Sequence, residues 1–350
     1  MKYSLLVWVL LAVVIGGGSC QRGVNAGNNE KKGDSNSVNE MIISFYNVEN
    51  LFDTQDDPKK MDEDFTPSGK LSWTDERYQL KLDRIAEVFD SLPGELPVLV
   101  GMCEIENRKV LEDLVKEKSL SKGSYAIVHK DSPDERGIDV AVIYDSTRMR
   151  VVNYEYSEVT LPSEEDPYTR DLLYVQAEIG GEKLHLFVNH WPSRGGGQDV
   201  TEKNRLKVAA LLKSKVEKIL AVDPKSKILV MGDFNDHPND KSISQVLNSG
   251  TASSNTLFNY MYDDHLAGKG SYSYKGDWGA LDQFMGSNEL VRAKSGWVAN
   301  ENSAEVFRRE FLLYYDKDGN SKPDRTYIGD RYNAAGHSDH LPIFIKLVKN

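Results

Sequence analysis

The feature that most constrains this sequence is a set of short apolar segments that each end in a carboxylate, an amide or an imidazole. The clearest case is the apolar run at 227–230, followed by MGDFND at 231–236. Such a run predicts a short buried β-strand. Because side chains alternate faces along a strand, Asp233 and Asn235 should emerge together and Phe234 should turn into the core. This pair could orient a water and steady a phosphoryl oxygen, although an Asx turn would also explain it.

The first two predicted strands end in the same way. Residues 41–47 place Ile43, Phe45 and Asn47 on one face, and Glu49 follows at the spacing seen after Asp233. The second strand, at 97–103, ends in Glu104. A carboxylate at the mouth of an apolar strand suits a hard cation such as Mg²⁺, which takes one or two carboxylates and several waters. Loop capping or a solvated Glu would also explain these residues.

Three later strands add imidazoles and acids. The strand at 184–190 ends in His190, and the strand at 280–285 contains Asp282, an acid that needs a partner if it is buried. Asp339 and His340 precede the last strand, at 341–348. Because these two are adjacent, they should point to opposite sides, so that one could face a metal and the other the substrate.

Charged residues at the start of two further strands are candidates for contact with a phosphate. Arg136 could clamp a phosphate and Asp139 could orient it, whereas a surface ion pair is the plainer interpretation. Arg170, before the apolar segment 172–175, is a similar and weaker candidate. The loop at 193–198 (SRGGGQ) could wrap an anion or serve as a flexible connector.

The N-terminal sequence predicts that the protein is exported from the cytoplasm. Residues 1–20 contain Lys2, an apolar run and then small residues before Cys20, which is the form of a lipoprotein signal, although Gly17 stands where an aliphatic residue is usual. Residues 21–40 are polar and rich in Gly and Asn, which indicates a flexible tether, and 41–350 form the folded domain. We therefore expect lipidation of Cys20 and a membrane anchor in the bacterial cell envelope, facing the periplasm or the exterior, or otherwise secretion.

The net charge of the chain limits the kinds of partner that we expect it to bind. The formal net charge of −11 repels nucleic acid at long range and argues against a tight, sequence-specific DNA-binding protein, although a local basic cleft with a metal could still act on nucleic acid. If Cys20 carries lipid, Cys103 is a lone thiol in an apolar run and should be buried and structural.

The polar groups together resemble the endonuclease/exonuclease/phosphatase superfamily. The pieces Asn47-Val48-Glu49, Glu104, Asn189-His190, GDFN at 232–235, Leu281-Asp282 and SDH at 338–340 occur in the order of that superfamily and span about 41–348. RGIDVA at 136–141 resembles its bacterial extracellular nuclease-like branch. The resemblance implies an α/β fold, a four-layer α/β sandwich of two mixed β-sheets face to face with helices on the outer faces.

The resemblance also implies roles for these residues. Glu104 would bind Mg²⁺ or Mn²⁺, aided by Glu49 and Asp339, and His340, oriented by Asp282, would handle the proton of the attacking water or contact the phosphate. The remaining residues would act on the reacting group: Asp233 would hold the water, Asn235 and Asn47 would steady the phosphorane oxygens, and His190 would stabilise charge or assist the leaving group. Several members have a Tyr in place of His190, and the identity of the base stays open.

The expected function is therefore a metal-dependent phosphoester hydrolase, a monomeric phosphodiesterase whose substrate is nucleic acid. One alternative keeps the chemistry and changes the substrate, as in a sphingomyelinase-like enzyme or a sugar-phosphate phosphatase. An exposed aromatic hairpin would favour a lipid substrate, and Tyr272, Tyr274 and Trp278 are candidates, although they could also pack in the core. The other alternative is a lipid-tethered binding protein without turnover.

Overall fold

The computed structural model describes residues 39–162 and 167–350. The predicted signal peptide, Cys20 and all but the last two residues of the predicted tether lie outside the described residues. Within the described part, no helix is both long and apolar enough to span a membrane.

The first of two large mixed sheets contains both chain-terminal strands of the domain. Its strand order is β14-β20-β1-β2-β4-β3, with β15 also paired to β20. Only the β1–β2 pair is parallel among these neighbours. The strands are β1 (Glu40–Leu51), β2 (Leu99–Ile105), β3 (Tyr125–Val128), β4 (Asp139–Asp145), β14 (Trp297–Val298), β15 (Ala304–Val306) and β20 (Ile343–Lys349).

The second sheet has the order β5-β6-β7-β8-β13-β10-β9, in which β7–β8 and β9–β10 are parallel. It carries the GDFN segment at the end of β8. The strands are β5 (Arg150–Ser157), β6 (Leu172–Ile179), β7 (Glu182–His190), β8 (Ile228–Asp233), β9 (Ser249–Gly250), β10 (Leu257–Asn259) and β13 (Asp282–Ser287).

Helices and small hairpins complete the described fold. The helices are α1 (Asp75–Asp90), α2 (Arg108–Leu114), α3 (Gln198–Val222), α4 (Tyr262–Leu266) and α5 (Asn288–Arg292). Three two-stranded hairpins lie outside the large sheets: β11 (Tyr272–Tyr274) with β12 (Asp277–Gly279), β16 (Leu313–Tyr315) with β17 (Ser321–Pro323), and β18 (Tyr327–Ile328) with β19 (Arg331–Tyr332). Short 3₁₀ turns at Glu63–Phe65 and Glu310–Leu312 and a π-helical turn at Ser242–Val246 join these elements.

The main core lies between the two sheets. Phe45 on β1 and Ile345 on β20 share one buried cluster with Val188 on β7, Met231 on β8 and Phe284 on β13. Burying a side chain of this size contributes about 1.5–3 kcal/mol, so face-to-face packing of the sheets is a large part of the stability.

Helices cover both outer faces. Leu82, Ile85 and Phe89 of α1 pack against the outer face of the first sheet, as their helical spacing predicts. Val208 and Leu212 of α3 pack against the second sheet. The result is helix, sheet, sheet, helix, which confirms the predicted four-layer sandwich. Cys103 is free and fully buried within it, as predicted.

Candidate active site

Most of the predicted site residues line one open cleft of about 850 Å³. They come from strand ends of both sheets and from the segment before β20. The predicted residues that line the cleft are Asn47, Glu104, Arg136, His190, Asp233, Asn235, Asp339 and His340.

Asn47 links the two sheets at the floor of the cleft. Its Nδ2 donates a hydrogen bond to Asp233 Oδ2 at 3.1 Å, and its Oδ1 accepts one from the Glu49 backbone N–H at 3.0 Å. Its own carbonyl accepts a hydrogen bond from Ser338 Oγ at 2.7 Å. These bonds fix the amide between the sheets, so its orientation does not depend on substrate.

The GDFN segment directs Asp233 and Asn235 into the cleft as predicted. Phe234 turns into the core, where it is fully buried. Asp233 Oδ1 accepts the Asn235 backbone N–H at 2.9 Å, and Asn235 has φ of 50°. A side chain at Gly232 would come within 2.4 Å of the Asn189 carbonyl oxygen on β7, so only glycine allows the two strands to approach this closely.

His340 and Asp282 form a buried pair. His340 Nδ1 lies 2.6 Å from Asp282 Oδ2, which leaves Nε2 to face the cleft, 3.8 Å from Asp233 Oδ2. Ser271 Oγ donates a hydrogen bond to the same oxygen of Asp282. Asp282 therefore holds the imidazole in one orientation, as the resemblance implied.

Charge perturbs the pKa values in this group. Burial alone would lower the pKa of His340, but the carboxylates of Asp282 and Asp233 outweigh burial and hold the pKa well above its ordinary value. Burial raises the pKa of Asp233 to about 6 although the positive charge of His340 opposes that rise. Both shifts favour the protonated forms, and pKa values perturbed in this way are typical of groups that exchange protons or contact a phosphate.

Glu104 and His190 lie opposite this pair. Glu104 Oε2 accepts the Asn50 backbone N–H at 2.9 Å, and Oε1 is 4.0 Å from His190 Nε2. His190 Nε2 is also 3.8 Å from Asp233 Oδ2. Burial, reinforced by the positive charges of Arg170 and Arg136, lowers the pKa of His190 well below its ordinary value. A neutral imidazole can donate a hydrogen bond to a phosphoryl or leaving-group oxygen.

Glu49 does not line the cleft, in contrast to the position its spacing suggested. Its strand bulges after Asn47, and Glu49 and Asn50 adopt positive φ values of 52° and 54°. The strict alternation of faces therefore ends at Asn47. Glu49 is buried, and its carboxylate accepts the Thr326 backbone N–H at 2.7 Å.

Arg325 occupies the space between two of the predicted metal ligands. Its guanidinium contacts Glu49 Oε1 at 2.9 Å and Asp339 Oδ2 at 3.1 Å. Burial and the neighbouring carboxylate of Asp339 raise the pKa of Glu49 to about 7, while Arg325 and Lys81 oppose that rise. A fixed side-chain cation thus neutralises the Glu49–Asp339 pair.

Asp139 and Arg170 do not reach the cleft either. Asp139 is buried and accepts hydrogen bonds from the Ser132 backbone N–H at 2.7 Å and from His129 at 3.0 Å. Arg170 is buried and paired with Asp134 at 3.1 Å. Asp139, the first residue of β4, and Arg170, just before β6, both bond to groups of the protein interior, so neither contacts a phosphate in this geometry.

Arg170 nevertheless supports the site indirectly. Its Nη2 donates to the Trp191 carbonyl at 2.7 Å, and the same carbonyl accepts from Asn235 Nδ2 at 3.0 Å. Arg136 does line the cleft, and its guanidinium donates to Asn50 Oδ1 at 3.1 Å. Arg136 is therefore the candidate phosphate contact that the geometry retains.

Several residues of the site escaped prediction from sequence. Ser271 and Arg325 lie in segments without a strand-end pattern, and each reaches a predicted site residue only through the tertiary fold. The β11–β12 hairpin forms one wall of the cleft with Tyr272, Tyr274 and Trp278. The sequence shows these aromatic residues, but no sequence signal places them beside His340, where the Tyr272 ring lies 4.8 Å from the imidazole.

The donors in the cleft suit a hard divalent cation. Glu104 Oε2 takes a backbone hydrogen bond while Oε1 faces His190, and Asp233, Asn47 and Asp339 supply further oxygens around the same cleft. Ligand atoms of Asp233, Asp282 and His340 also lie within 4.8 Å of one another. Carboxylate and amide oxygens favour Mg²⁺ or Mn²⁺ over softer metals.

The fold and this cleft together define an α/β-sandwich protein with a polar, acid-rich site at one end of two packed sheets. A sequence profile of the Endonuclease/Exonuclease/phosphatase family matches residues 42–349. The chain belongs to the endonuclease/exonuclease/phosphatase family. No protein with a curated function matches the sequence.

Solved structures of low sequence identity share the fold. An endonuclease/exonuclease/phosphatase family protein from Bacteroides thetaiotaomicron is 14% identical with a TM-score of 0.55, over 89% of this chain and 98% of that one. A mannosyl-6-phosphatase from the same organism is 16% identical with a TM-score of 0.55, over 88% and 99%. The human Nocturnin catalytic domain with bound sulfate is 16% identical with a TM-score of 0.52, over 89% and 95%.

Proposed function

We propose that the protein is a divalent-metal-dependent phosphodiester hydrolase that acts on nucleic acid. The observation that carries the proposal is the convergence of Asn47, Asp233, Asp282 and His340 at one buried floor, although up to 293 positions separate them in the chain (340 − 47). These are the groups that hydrolysis of a phosphoester requires: an orienting carboxylate, an amide donor and an oriented imidazole.

Each group has a defined task at the reacting phosphorus. Asp233 holds the attacking water, since its Oδ2 faces the cleft between the two histidines. Asn47 and Asn235 donate to the oxygens that gain charge. His340 Nε2 contacts the phosphate or exchanges the proton of the water while Asp282 fixes its ring. His190 donates to the leaving-group oxygen.

The metal site is proposed at Glu104, with Asp339 and Glu49 nearby. A bound Mg²⁺ or Mn²⁺ would polarise a phosphoryl oxygen and neutralise developing charge. The protein contributes to this site the carboxylate of Glu104, whose orientation is fixed. Glu104 adopts φ of 62° at the end of β2, and the Asn50 backbone N–H binds Oε2.

A second candidate function is hydrolysis of a compact phosphomonoester such as a sugar phosphate. Two further acids, Asp277 and Asp339, line the cleft. Acids of this kind suit hydroxyl groups better than a chain of phosphates. This candidate keeps the reaction chemistry and changes only the group attached to the phosphorus.

A substrate panel tests both candidates. Purified protein with Mg²⁺ or Mn²⁺ is incubated with single-stranded DNA, RNA, plasmid, sphingomyelin, a bis(nitrophenyl) phosphate and a hexose 6-phosphate. The proposal expects release of nucleotides and of nitrophenol. Turnover of the hexose phosphate alone would favour the second candidate, and no turnover with any substrate would leave a binding protein.

We also propose that Cys20 carries the lipid that anchors the protein in the cell envelope. The support is the sequence alone, since a short apolar run and small residues precede Cys20. Labelling of bacteria that express the chain with a palmitate analogue should mark the wild-type protein and not Cys20→Ser. Equal labelling of both would contradict lipidation at Cys20.

A further inference from the structure

Two hairpins beside the cleft present aromatic rings paired with cations. Lys275 Nζ lies 5.1 Å from the centroid of the Tyr274 ring on β11, and the Arg308 guanidinium lies 4.1 Å from that of Trp278 on β12. Lys322 Nζ of β17 lies 5.2 Å from the ring of Tyr314 on β16. We call these six residues the ring-and-cation surface.

This surface is continuous with the cleft. Tyr274 and Trp278 line the cleft itself. The β16–β17 hairpin packs beside β11, and Arg308 Nη2 donates to Ser321 Oγ at 2.6 Å, which ties the Trp278 stack to β17. A ligand chain bound in the cleft could therefore extend outwards over Tyr314 without leaving protein surface.

Two of the three rings of this surface are exposed. Tyr274 is 61% exposed and Tyr314 is also exposed, whereas Trp278 is half-buried. With Tyr315 and Phe311, which lie in and just before β16, Tyr274 and Tyr314 make up four of the six exposed aromatic side chains in the described residues, the others being Tyr154 and Tyr168. Exposed aromatic residues concentrated beside a cleft mark an interaction surface.

The cations of this surface are available to a ligand. Lys275, Arg308 and Lys322 form no ion pair with any residue in the described part of the chain. Two acids near β16 are hydrogen-bonded locally: Glu310 accepts from the Tyr315 hydroxyl at 3.0 Å, and Asp316 accepts the backbone N–H groups of Asp318 and Asn320, each at 2.9 Å. Three cations thus remain beside the rings, and Asp277, between Lys275 and Trp278, offsets part of their charge.

We infer that the ring-and-cation surface binds single-stranded nucleic acid and leads it into the cleft. Unpaired bases stack on exposed rings, and cations spaced between the rings meet the backbone phosphates. A duplex hides the faces of its bases, and the acidic remainder of the protein repels its dense charge. The inference deepens the proposed nuclease function, but strand binding itself needs no turnover.

Binding is tested without catalysis. The full chain is titrated in EDTA into a fluorescein-labelled 20-nucleotide dT oligonucleotide, with fluorescence anisotropy as the readout. The double variant Tyr274→Ala/Tyr314→Ala should bind at least about tenfold more weakly, since removing one stacking ring costs about 1–3 kcal/mol. Lys275→Gln/Lys322→Gln should flatten the slope of log K against log salt by about 1.4, at about 0.7 for each phosphate contact.

Matched controls lie elsewhere on the protein. Tyr154→Ala removes a tyrosine of similar exposure on β5, and Lys225→Gln removes an exposed cation at the opposite end of β8. Both should bind the oligonucleotide like the wild type. Thermal unfolding of every variant separates lost binding from lost folding.

Three outcomes would overturn the inference. A hairpin duplex bound as tightly as the single strand would exclude stacking, and unchanged binding in folded Tyr274→Ala/Tyr314→Ala would exclude this surface. Co-sedimentation with anionic phosphatidylglycerol vesicles without oligonucleotide binding would assign the surface to a membrane. Strand binding without hydrolysis would instead sustain this inference and contradict the proposed function.

Discussion

The floor of the cleft and its hairpin wall differ in how firmly they are held. Asn47, Asp233, Asp282 and His340 are each at least 94% buried and are hydrogen-bonded in pairs, Asn47 to Asp233 and His340 to Asp282. Tyr274, on the wall, is 61% exposed and lies on a hairpin of two three-residue strands. The comparison suggests a division of tasks in which two rigid sheets fix the reacting groups and an exposed hairpin selects what enters.

The largest expected effect removes the imidazole of the floor. His340→Ala should lower kcat for a phosphodiester about 10²–10⁴-fold, because the base or phosphate contact is lost while the sheets stay packed. His185→Ala is the matched control, since His185 bonds Tyr174 at 2.7 Å and does not line the cleft. Near-wild-type turnover in folded His340→Ala would remove His340 from the mechanism.

Ser271 precedes β11 of the wall and bonds to Asp282 of the floor, so its removal tests whether the wall affects the reacting groups. Ser271→Ala removes the hydrogen bond from Ser271 Oγ to Asp282 Oδ2, so that His340 is the one remaining partner of that oxygen among the described residues. The other oxygen of Asp282, Oδ1, accepts no hydrogen bond from the described residues. We expect kcat to fall about tenfold with KM nearly unchanged, since a hydrogen bond to a charged group is worth about 1.5–3 kcal/mol. Ser271→Thr should restore most of the rate. A change in KM alone would show that Ser271 acts on the wall and not on Asp282.

Arg325 tests the charge at the edge of the floor. Arg325→Gln removes the cation that pairs with the carboxylates of Glu49 and Asp339. We expect Mn²⁺ to bind about fivefold more tightly, as measured by calorimetry. This factor corresponds to about 1 kcal/mol, the strength of an ion pair whose arginine is 43% exposed. Arg136→Gln, which removes a guanidinium without an ion pair to these acids, should change the affinity less. Weaker Mn²⁺ binding by Arg325→Gln would show that the guanidinium organises the site instead of competing with the cation.

The smallest expected effect concerns stability in acid. Burial, followed by the positive charges of Arg194 and His265, lowers the pKa of His237 to about 4. The ordinary pKa of histidine is about 6.5, so between about pH 6.5 and pH 4 the imidazole is protonated in the unfolded chain and neutral in the folded protein. This contribution to stability is present above about pH 6.5 and is lost as the pH falls towards 4.

His237→Gln should therefore lose less stability than the wild type on acidification. Between pH 7 and pH 5 we expect the drop in the free energy of unfolding to be smaller by about 1 kcal/mol, a figure reduced because the ring is partly solvated. Urea unfolding at both pH values measures the difference for each protein, so lost packing against His265 cancels. An identical drop in both proteins would contradict a lowered pKa for His237.

Sequence predicted the floor better than the wall for a physical reason. Apolar strands are recognised by their composition and alternation, so the polar residues that follow them, Asp233, Asn235 and Asn47, could be identified from local pattern. That β1 and β8, which lie in different sheets, bring these residues together is a property of the tertiary fold. The family resemblance implies that Asp282 orients His340, and the structure places His340 Nδ1 2.6 Å from Asp282 Oδ2.

The errors arose where local pattern does not determine direction. Positive φ at Glu49 breaks the alternation that would have aimed it into the cleft. Arg170 and Asp139 are buried, and each is paired inside the protein, Arg170 with Asp134 and Asp139 with Ser132. The hairpin wall consists of strands of three residues, too short for periodicity to reveal their position relative to His340.

The most direct test of the account is metal-dependent turnover by the wild type and by Glu104→Gln. Hydrolysis of bis(nitrophenyl) phosphate is measured in EDTA and then across a titration of Mn²⁺, with circular dichroism to confirm folding. We predict no turnover in EDTA, recovery with Mn²⁺ in the wild type, and recovery in Glu104→Gln only at far higher Mn²⁺. Full activity in EDTA, or an identical Mn²⁺ titration for both proteins, would contradict a cation-assisted hydrolase centred on Glu104.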